Sequence, residues 1–221
     1  MKSINSFIIE RLKLSKDKPV IRYIPKDIFA LKSILKKRLA ENKNANLNDI
    51  DVSNITTFCD TTKGKYKDEG LFEKLDPYNI KIDSWKTDQI TDFRRAFFNC
   101  HNLDCDLSNW KISNSPELSN MFYECYNFKG TGLDSWDVSE NENFFGMFVQ
   151  CKSLTVDLSK WKLESATSIA HMFNGCINFD CDLSEWGNYI DKNKIIESHF
   201  MFEKCTILKQ KKLIPDWYYK L

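Results

Sequence analysis

The stretch DLSNWKISNSPELSNMFYECYNF (residues 106–128) sets one tryptophan and one Met-Phe-x-x-Cys group in a fixed order, and that order returns along the chain. Tryptophans stand at Trp85, Trp110, Trp136, Trp161 and Trp186, at intervals of 25, 26, 25 and 25 residues. Phe-x-x-Cys pairs keep step with them: Phe97 with Cys100, Phe122 with Cys125, Phe148 with Cys151, Phe173 with Cys176, and Phe202 with Cys205. Composition alone would give fewer than one such pair in a chain with 16 Phe and 8 Cys. A period of this size indicates units that bury their apolar faces by stacking on one another. Cys205 and Trp217 extend the series after the insertion GNYIDKNK (187–194).

Each unit divides in two. DLSNWKI (106–112), LDSWDV (133–138), DLSKWKL (157–163) and DLSEW (182–186) place aliphatic or β-branched residues beside the Trp, which suits a short strand entered through an Asp or Ser turn. ELSNMFYECYNF (117–128) and SIAHMFNGCINF (168–179) space apolar residues three and four apart, which suits a short helix. The fold class expected is α/β, a leucine-rich-repeat-like solenoid of short strand plus short helix units with an N-terminal α/β capping segment. Phe97, Cys100, Trp110, Phe122, Cys125, Trp136, Phe148, Cys151, Trp161, Phe173, Cys176, Trp186, Phe202 and Cys205 are its structural ladder.

The run 106–128 followed by LDSWDVSENENFFGMFVQCKSL (133–154) resembles the BspA-like leucine-rich-repeat family, whose units read approximately D-x-S-x-W-D-V-S-N-V-T-x-M-x-x-M-F-x-x-C. The resemblance covers roughly residues 47–217. It implies a solenoid used in adhesion or recognition, without catalytic residues, and the leader INSFIIERLKL (4–14) looks like that of phage-borne members.

Three segments are expected: a helix–strand–helix cap over 1–46, the repeats over 47–217, and a tail over 218–221. In the cap, Ile4, Phe7, Ile8 and Leu12 form one helical stripe with Ser3 as N-cap; KPVIRYIP (18–25) reads as a strand; Ile28, Leu31, Leu35 and Leu39 form a second stripe. NDIDVSNITTF (48–58) reads as a degenerate first unit with Ile50 in the Trp position, followed by a polar insertion at about 59–79 containing Gly64, Gly70 and Pro77. The formal net charge of +1 conceals an asymmetry, since residues 1–43 hold 12 Lys/Arg against 4 Asp/Glu.

No stretch approaches the roughly 18 consecutive apolar residues of a membrane span, and Glu10 and Arg11 interrupt the one apolar run near the start. The expectation is a chain not secreted by a signal peptide, cytoplasmic or virion-associated if phage-encoded, with reduced cysteines.

The candidate chemistry is sparse. Cys100 with Cys105 and Cys176 with Cys181 have C-x4-C spacing, but the pairs lie three units apart, about 15 Å at strand spacing, too far to share one zinc ion. His101 and His171 could complete separate sites. Asp106, Asp157 and Asp182 could form a calcium-binding column, or could accept backbone N–H bonds at turns. No nucleophile-elbow, zinc-protease, phosphate-loop or dinucleotide signature occurs, and no cofactor or catalytic residue is expected. Lys32, Lys36, Lys37 and Arg38 make a basic helix face suited to an acidic contact within the chain, to another subunit, or, less favourably, to nucleic acid. If the ladder is inward, recognition falls to outward residues beside the tryptophans: Asn109, Lys111, Ser135, Asp137, Lys160, Lys162 and Glu185. The function expected is non-enzymatic protein recognition or scaffolding, with a protein partner and a possible homo-oligomer; glycan- or calcium-dependent adhesion is the alternative.

Overall fold

The computed structural model describes residues 20–62 and 68–221. Most of the chain is turn and loop. Among the described residues, two α-helices, α1 (Ile28–Glu41) and α2 (Thr206–Lys211), and one antiparallel pair, β1 (Cys59–Asp60) with β2 (Glu69–Gly70), stand beside three short 3-10 turns. The N-terminal stripe Ile4–Leu12 with Ser3, and Gly64, lie outside the described residues.

Helix α1 begins where Asp27, in extended backbone, accepts the Ala30 N–H at 2.8 Å through its carboxylate, satisfying one of the donors a helix start leaves open. Its stripe of Ile28, Leu31, Leu35 and Leu39 is buried against the first repeats. In the described part of the preceding segment, Tyr23 makes a single parallel bridge to Ile50, and the Arg22 N–H donates to the Asp49 carbonyl at 2.8 Å.

The repeats lie side by side. Phe72, Phe97, Phe122, Phe148, Phe173 and Phe202 stack in one column with ring centroids 4.9, 5.4, 5.6, 5.5 and 6.0 Å apart and nearly parallel planes. Tryptophans stack likewise, Trp85 on Trp110 at 6.3 Å and Trp161 on Trp186 at 6.2 Å. Burying a ring of this size contributes roughly 1.5–3 kcal/mol, so the columns alone exceed a domain's usual net stability of about 5–15 kcal/mol before chain entropy is set against them.

Each buried indole also has a fixed partner. The Nε1–H of Trp85, Trp110, Trp136, Trp161, Trp186 and Trp217 donates to the carbonyl of Leu47, Ile82, Leu107, Leu133, Leu158 and Leu183 at 2.8–3.2 Å. Every acceptor stands three residues before the Trp of the preceding unit, and Leu47 stands three before Ile50, which therefore occupies the Trp position of the first unit. Five of these carbonyls, Ile82 to Leu183, also accept the backbone N–H of their own unit's Trp.

The units are not strand plus helix. Parallel pairing is reduced to isolated bridges, one column running Thr57, Asp92, Glu117, Asn143, Ser168, Glu197, with Asn46–Lys81 added between the first two units. The segments with helical spacing form instead a turn ribbon in which the residues two before and two after each ladder Phe are left-handed: Arg95 and Asn99, Asn120 and Glu124, Gly146 and Gln150, His171 and Gly175, Phe200 and Lys204, with φ from 54° to 77°. With a left-handed residue at every fourth position, the N–H groups of every second residue reach the next unit. Leu118, Asn120, Phe122 and Glu124 donate to Asn143, Phe145, Met147 and Val149 of the next unit, and the following interfaces repeat this. An α-helix would turn those donors inward and leave the units joined by side chains alone; the cost is about 1–2 kcal/mol for each non-glycine left-handed residue.

Added residues are absorbed away from the ladders. The extra residue between Phe122 and Trp136 falls where Gly130 and Gly132 adopt φ of 89° and 91°; a Cβ on Gly132 would meet the Ser108 backbone at 2.2 Å.

Replacing Gln150 by glycine, which relieves its left-handed strain, is expected to raise stability by a few tenths to about 1 kcal/mol, whereas Gln150→Val should lower it by more than about 1 kcal/mol; urea unfolding measures both. Trp161→Phe, which deletes the indole donor to Leu133, should cost about 1–3 kcal/mol in the same assay.

Candidate functional site

The cysteine ladder is built as the tryptophan ladder is. The thiols of Cys100, Cys125, Cys151, Cys176 and Cys205 donate to the carbonyls of Phe72, Phe97, Phe122, Phe148 and Phe173 at 3.4, 3.0, 3.0, 2.9 and 2.9 Å. The latter four carbonyls also accept the backbone N–H of the Cys of their own unit. Such a thiol must keep its proton. Burial pushes the thiols of Cys100, Cys125 and Cys176 well above their ordinary value and that of Cys205 to about 12. All eight cysteines are free. Among the described residues no three of His, Cys, Asp and Glu are grouped to hold a metal ion.

The repeated aspartates shape turns. Asp106, Asp157 and Asp182 each accept, through one carboxylate oxygen, the N–H of Ser108, Ser159 and Ser184 at 2.9 Å. Serine hydrogen bonds hold Asp157 and Asp182 below the usual carboxylate range. On α1, Lys32 pairs with Glu69 at 3.3 Å and Arg38 with Asp49 at 3.1 Å, so half of the basic face meets carboxylates of its own chain, while Lys36 and Lys37 are exposed.

The outward residues beside the tryptophans are exposed and split into separate places. Ser135, Asp137, Lys160 and Lys162 share a groove of about 380 Å³. Asn109 instead donates to the Asp83 carbonyl at 3.2 Å, the Lys111 N–H donates to Thr87 Oγ1 at 2.8 Å, and Glu185 accepts from Asn188 at 2.8 Å.

A second groove, of about 480 Å³, lies on the outer side of the turn ribbon, lined by Tyr123, Tyr126, Phe145, Gln150, His171 and Asn174 among others. Its aromatic rings are half-buried and held by neighbours: Tyr123 stacks on Phe98 at 4.8 Å, Tyr126 on His101 at 4.7 Å, and Phe145 meets His171 edge-on at 5.5 Å. The Tyr126 hydroxyl donates to Glu124 at 3.0 Å, and Lys152 Nζ sits 4.3 Å from the same ring centre. Burial, then the neighbouring His199, lowers the His171 pKa and favours its neutral form. Sequence reasoning passed over this face because it took the ribbon for a helix. The available signal was the run of differing residues just after each ladder Phe: Phe98, Tyr123, Val149, Asn174 and Glu203.

Beside the groove runs the bridge column, where Glu117 accepts from Ser119 at 3.4 Å and Asn143 at 3.2 Å. Burial raises its pKa, opposed by Arg94. A folded-state value above the unfolded one means that the native state holds its proton to higher pH, so stability is lost as pH rises through that window. Glu117→Gln should therefore raise the melting temperature at pH 7 and give a smaller gain at pH 4, by differential scanning calorimetry. Thiol titration with a disulfide reagent should leave the ladder cysteines unreacted in the native protein and react all eight in denaturant, with half-buried Cys181 the first to respond.

Among the described residues no helix is long and apolar enough to cross a membrane. No curated protein and no solved structure matches the chain. Residues 30–132 and 116–217 each match the family described as Mycoplasma protein of unknown function, DUF285, so two overlapping matches follow the repeats from helix α1 to Trp217. The chain belongs to this DUF285 family, whose repeats are related to the BspA-like ones.

Proposed function

We propose that the chain is a non-enzymatic protein-recognition module, a leucine-rich-repeat-like solenoid that presents the Tyr123–Tyr126–Phe145–His171 groove to its partner. The observation that carries this reading is the division of each ribbon into two classes of position. Inward residues repeat as Phe and Cys, while outward residues change from unit to unit and assemble rings, amides and charges around one concavity. Half-buried aromatics already locked by stacking lose little freedom on binding, which is why such rings anchor protein interfaces. The groove's one carboxylate is engaged: Glu124 accepts from Tyr126 and lies 3.6 Å from His101 beside the groove. That arrangement favours binding over proton transfer.

The test compares capture from lysate by the wild type, by Tyr126→Ala with Gln150→Ala, and by Lys160→Ala with Lys162→Ala, after calorimetry confirms folding. The expected result is capture of a common protein by the wild type and the lysine variant and at least about a tenfold loss by the groove variant, the effect of removing an interface anchor worth about 1.4 kcal/mol or more. Equal capture by all three, or loss only in the lysine variant, would overturn the assignment. A glycan array run in parallel separates sugar binding, which the rings and amides could also provide. Detection of the chain in purified phage particles would place the same module in a virion.

A further inference from the structure

The turn ribbon has a direction, and its copy at 198–204 carries unpaired donors among the described residues. Within the ribbon itself the donors belong to the earlier unit and the acceptors to the later one: Phe144, Gly146, Phe148 and Gln150 donate to Ser168, Ala170, Met172 and Asn174, and Ile169, His171, Phe173 and Gly175 donate to Glu197, His199, Met201 and Glu203. The next set of donors, on Ser198, Phe200, Phe202 and Lys204, has no hydrogen-bond partner among the described residues. Phe200 and Lys204 keep the left-handed φ of 57° and 59° that turns such groups outward. Unpaired N–H groups in a row along one edge leave partial positive charge there, which favours oxygen acceptors.

The surroundings of this edge have the same bias. Residues 191–221 hold seven lysines against four Asp and Glu, and Lys204 and Lys209 are exposed. The two carboxylates on the edge ribbon lean back onto the coil behind it, Glu197 accepting from Ser168 at 3.2 Å and Glu203 from Asn174 at 2.8 Å. Apolar side chains stand open beside the donors: Ile196 is 82% and Phe200 54% exposed. Ser198 stands where the inner coils place Phe93, Leu118, Phe144 and Ile169, all buried.

We infer that the Ser198–Lys204 edge is a docking site for an extended acidic segment of a partner protein, whose carbonyl and carboxylate oxygens accept the open N–H groups while its apolar residues cover Ile196 and Phe200. A second copy is the poorer fit: the same edge of another molecule offers donors against donors, and on the first complete ribbon the Asp92 and Ala96 carbonyls already accept from Phe58 and Phe72. Extended chains place same-side carbonyls about 6.6 Å apart, two residues at strand rise, which suits donors carried by every second residue. The site is separate from the groove proposed above, so either can fail alone.

Amide hydrogen exchange on the full chain tests it, with an oligoglutamate peptide as probe and oligolysine and a single-stranded oligonucleotide as comparisons. In the free chain the amides of 198, 200 and 204 should exchange at least about a hundredfold faster than those of 169, 171 and 175. Oligoglutamate should slow the edge amides alone, with an affinity that falls as salt rises from about 0.05 to 0.3 M. Ser198→Pro, which removes one donor, and Lys204→Glu, which keeps the backbone and reverses a charge, should each weaken binding by about tenfold, one lost hydrogen bond or ion pair of about 1.4 kcal/mol. Absence of protection, equal protection by oligolysine, protection by the oligonucleotide in place of the peptide, or protection that grows with protein concentration alone would each overturn the inference.

Discussion

A carbonyl shared between two units is the interaction on which this architecture rests. The carbonyls of Leu107, Leu133 and Leu158 each accept a backbone N–H from their own unit and an indole N–H from the next, and those of Phe97, Phe122, Phe148 and Phe173 do the same with a backbone N–H and a thiol. Buried carbonyls have two lone pairs, and leaving a polar group without a partner in an apolar interior costs about 1–3 kcal/mol. The repeated residues therefore carry a donor as well as bulk. Phenylalanine in place of Trp, or alanine in place of Cys, would fill part of the space and forfeit the bond.

Those side-chain donors also explain why left-handed backbone is tolerated at residues such as Glu124, Gln150 and Lys204. The ribbon is strained locally and secured on both sides, by stacked rings within and by one-way backbone bonds between units. Its strain is spread in small amounts along the whole stack. The outer surface inherits rigidity from this, because Tyr123, Tyr126 and Phe145 project from backbone whose turns are already fixed.

Much of this was legible from spacing. The period, the inward ladder, the helix stripe Ile28–Leu39 and the role of Ile50 as a Trp substitute all follow from where apolar residues recur, because burial depends mainly on residue type and interval. The turn ribbon was not legible. Leu118, Met121, Phe122 and Cys125 have helical intervals, yet handedness at Asn120 and Glu124 is dictated by hydrogen bonds to a unit 25 or more residues away, which local propensity does not contain. The groove followed that error, since a helix burying Leu118, Met121, Phe122 and Cys125 leaves Tyr123 and Tyr126 on an ordinary solvent face, with nothing to bring Phe145 and His171 of later units beside them. The asparagines and glycines at the left-handed positions, Asn99, Asn120, Gly146 and Gly175, were the visible trace of it.

The near identity of successive interfaces has a further consequence. A seat made by one unit accepts any other unit of the same pattern, so a crowded, partly folded chain can lend a coil to its neighbour as readily as to itself. Slippage by a single residue is not open to it, because the rings and thiols would lose their acceptors together. What distinguishes correct from exchanged pairing is the irregular features: helix α1, the paired strands β1 and β2, the glycine bend at 130–132 and the segment at 187–194. These idiosyncratic pieces give each coil an address.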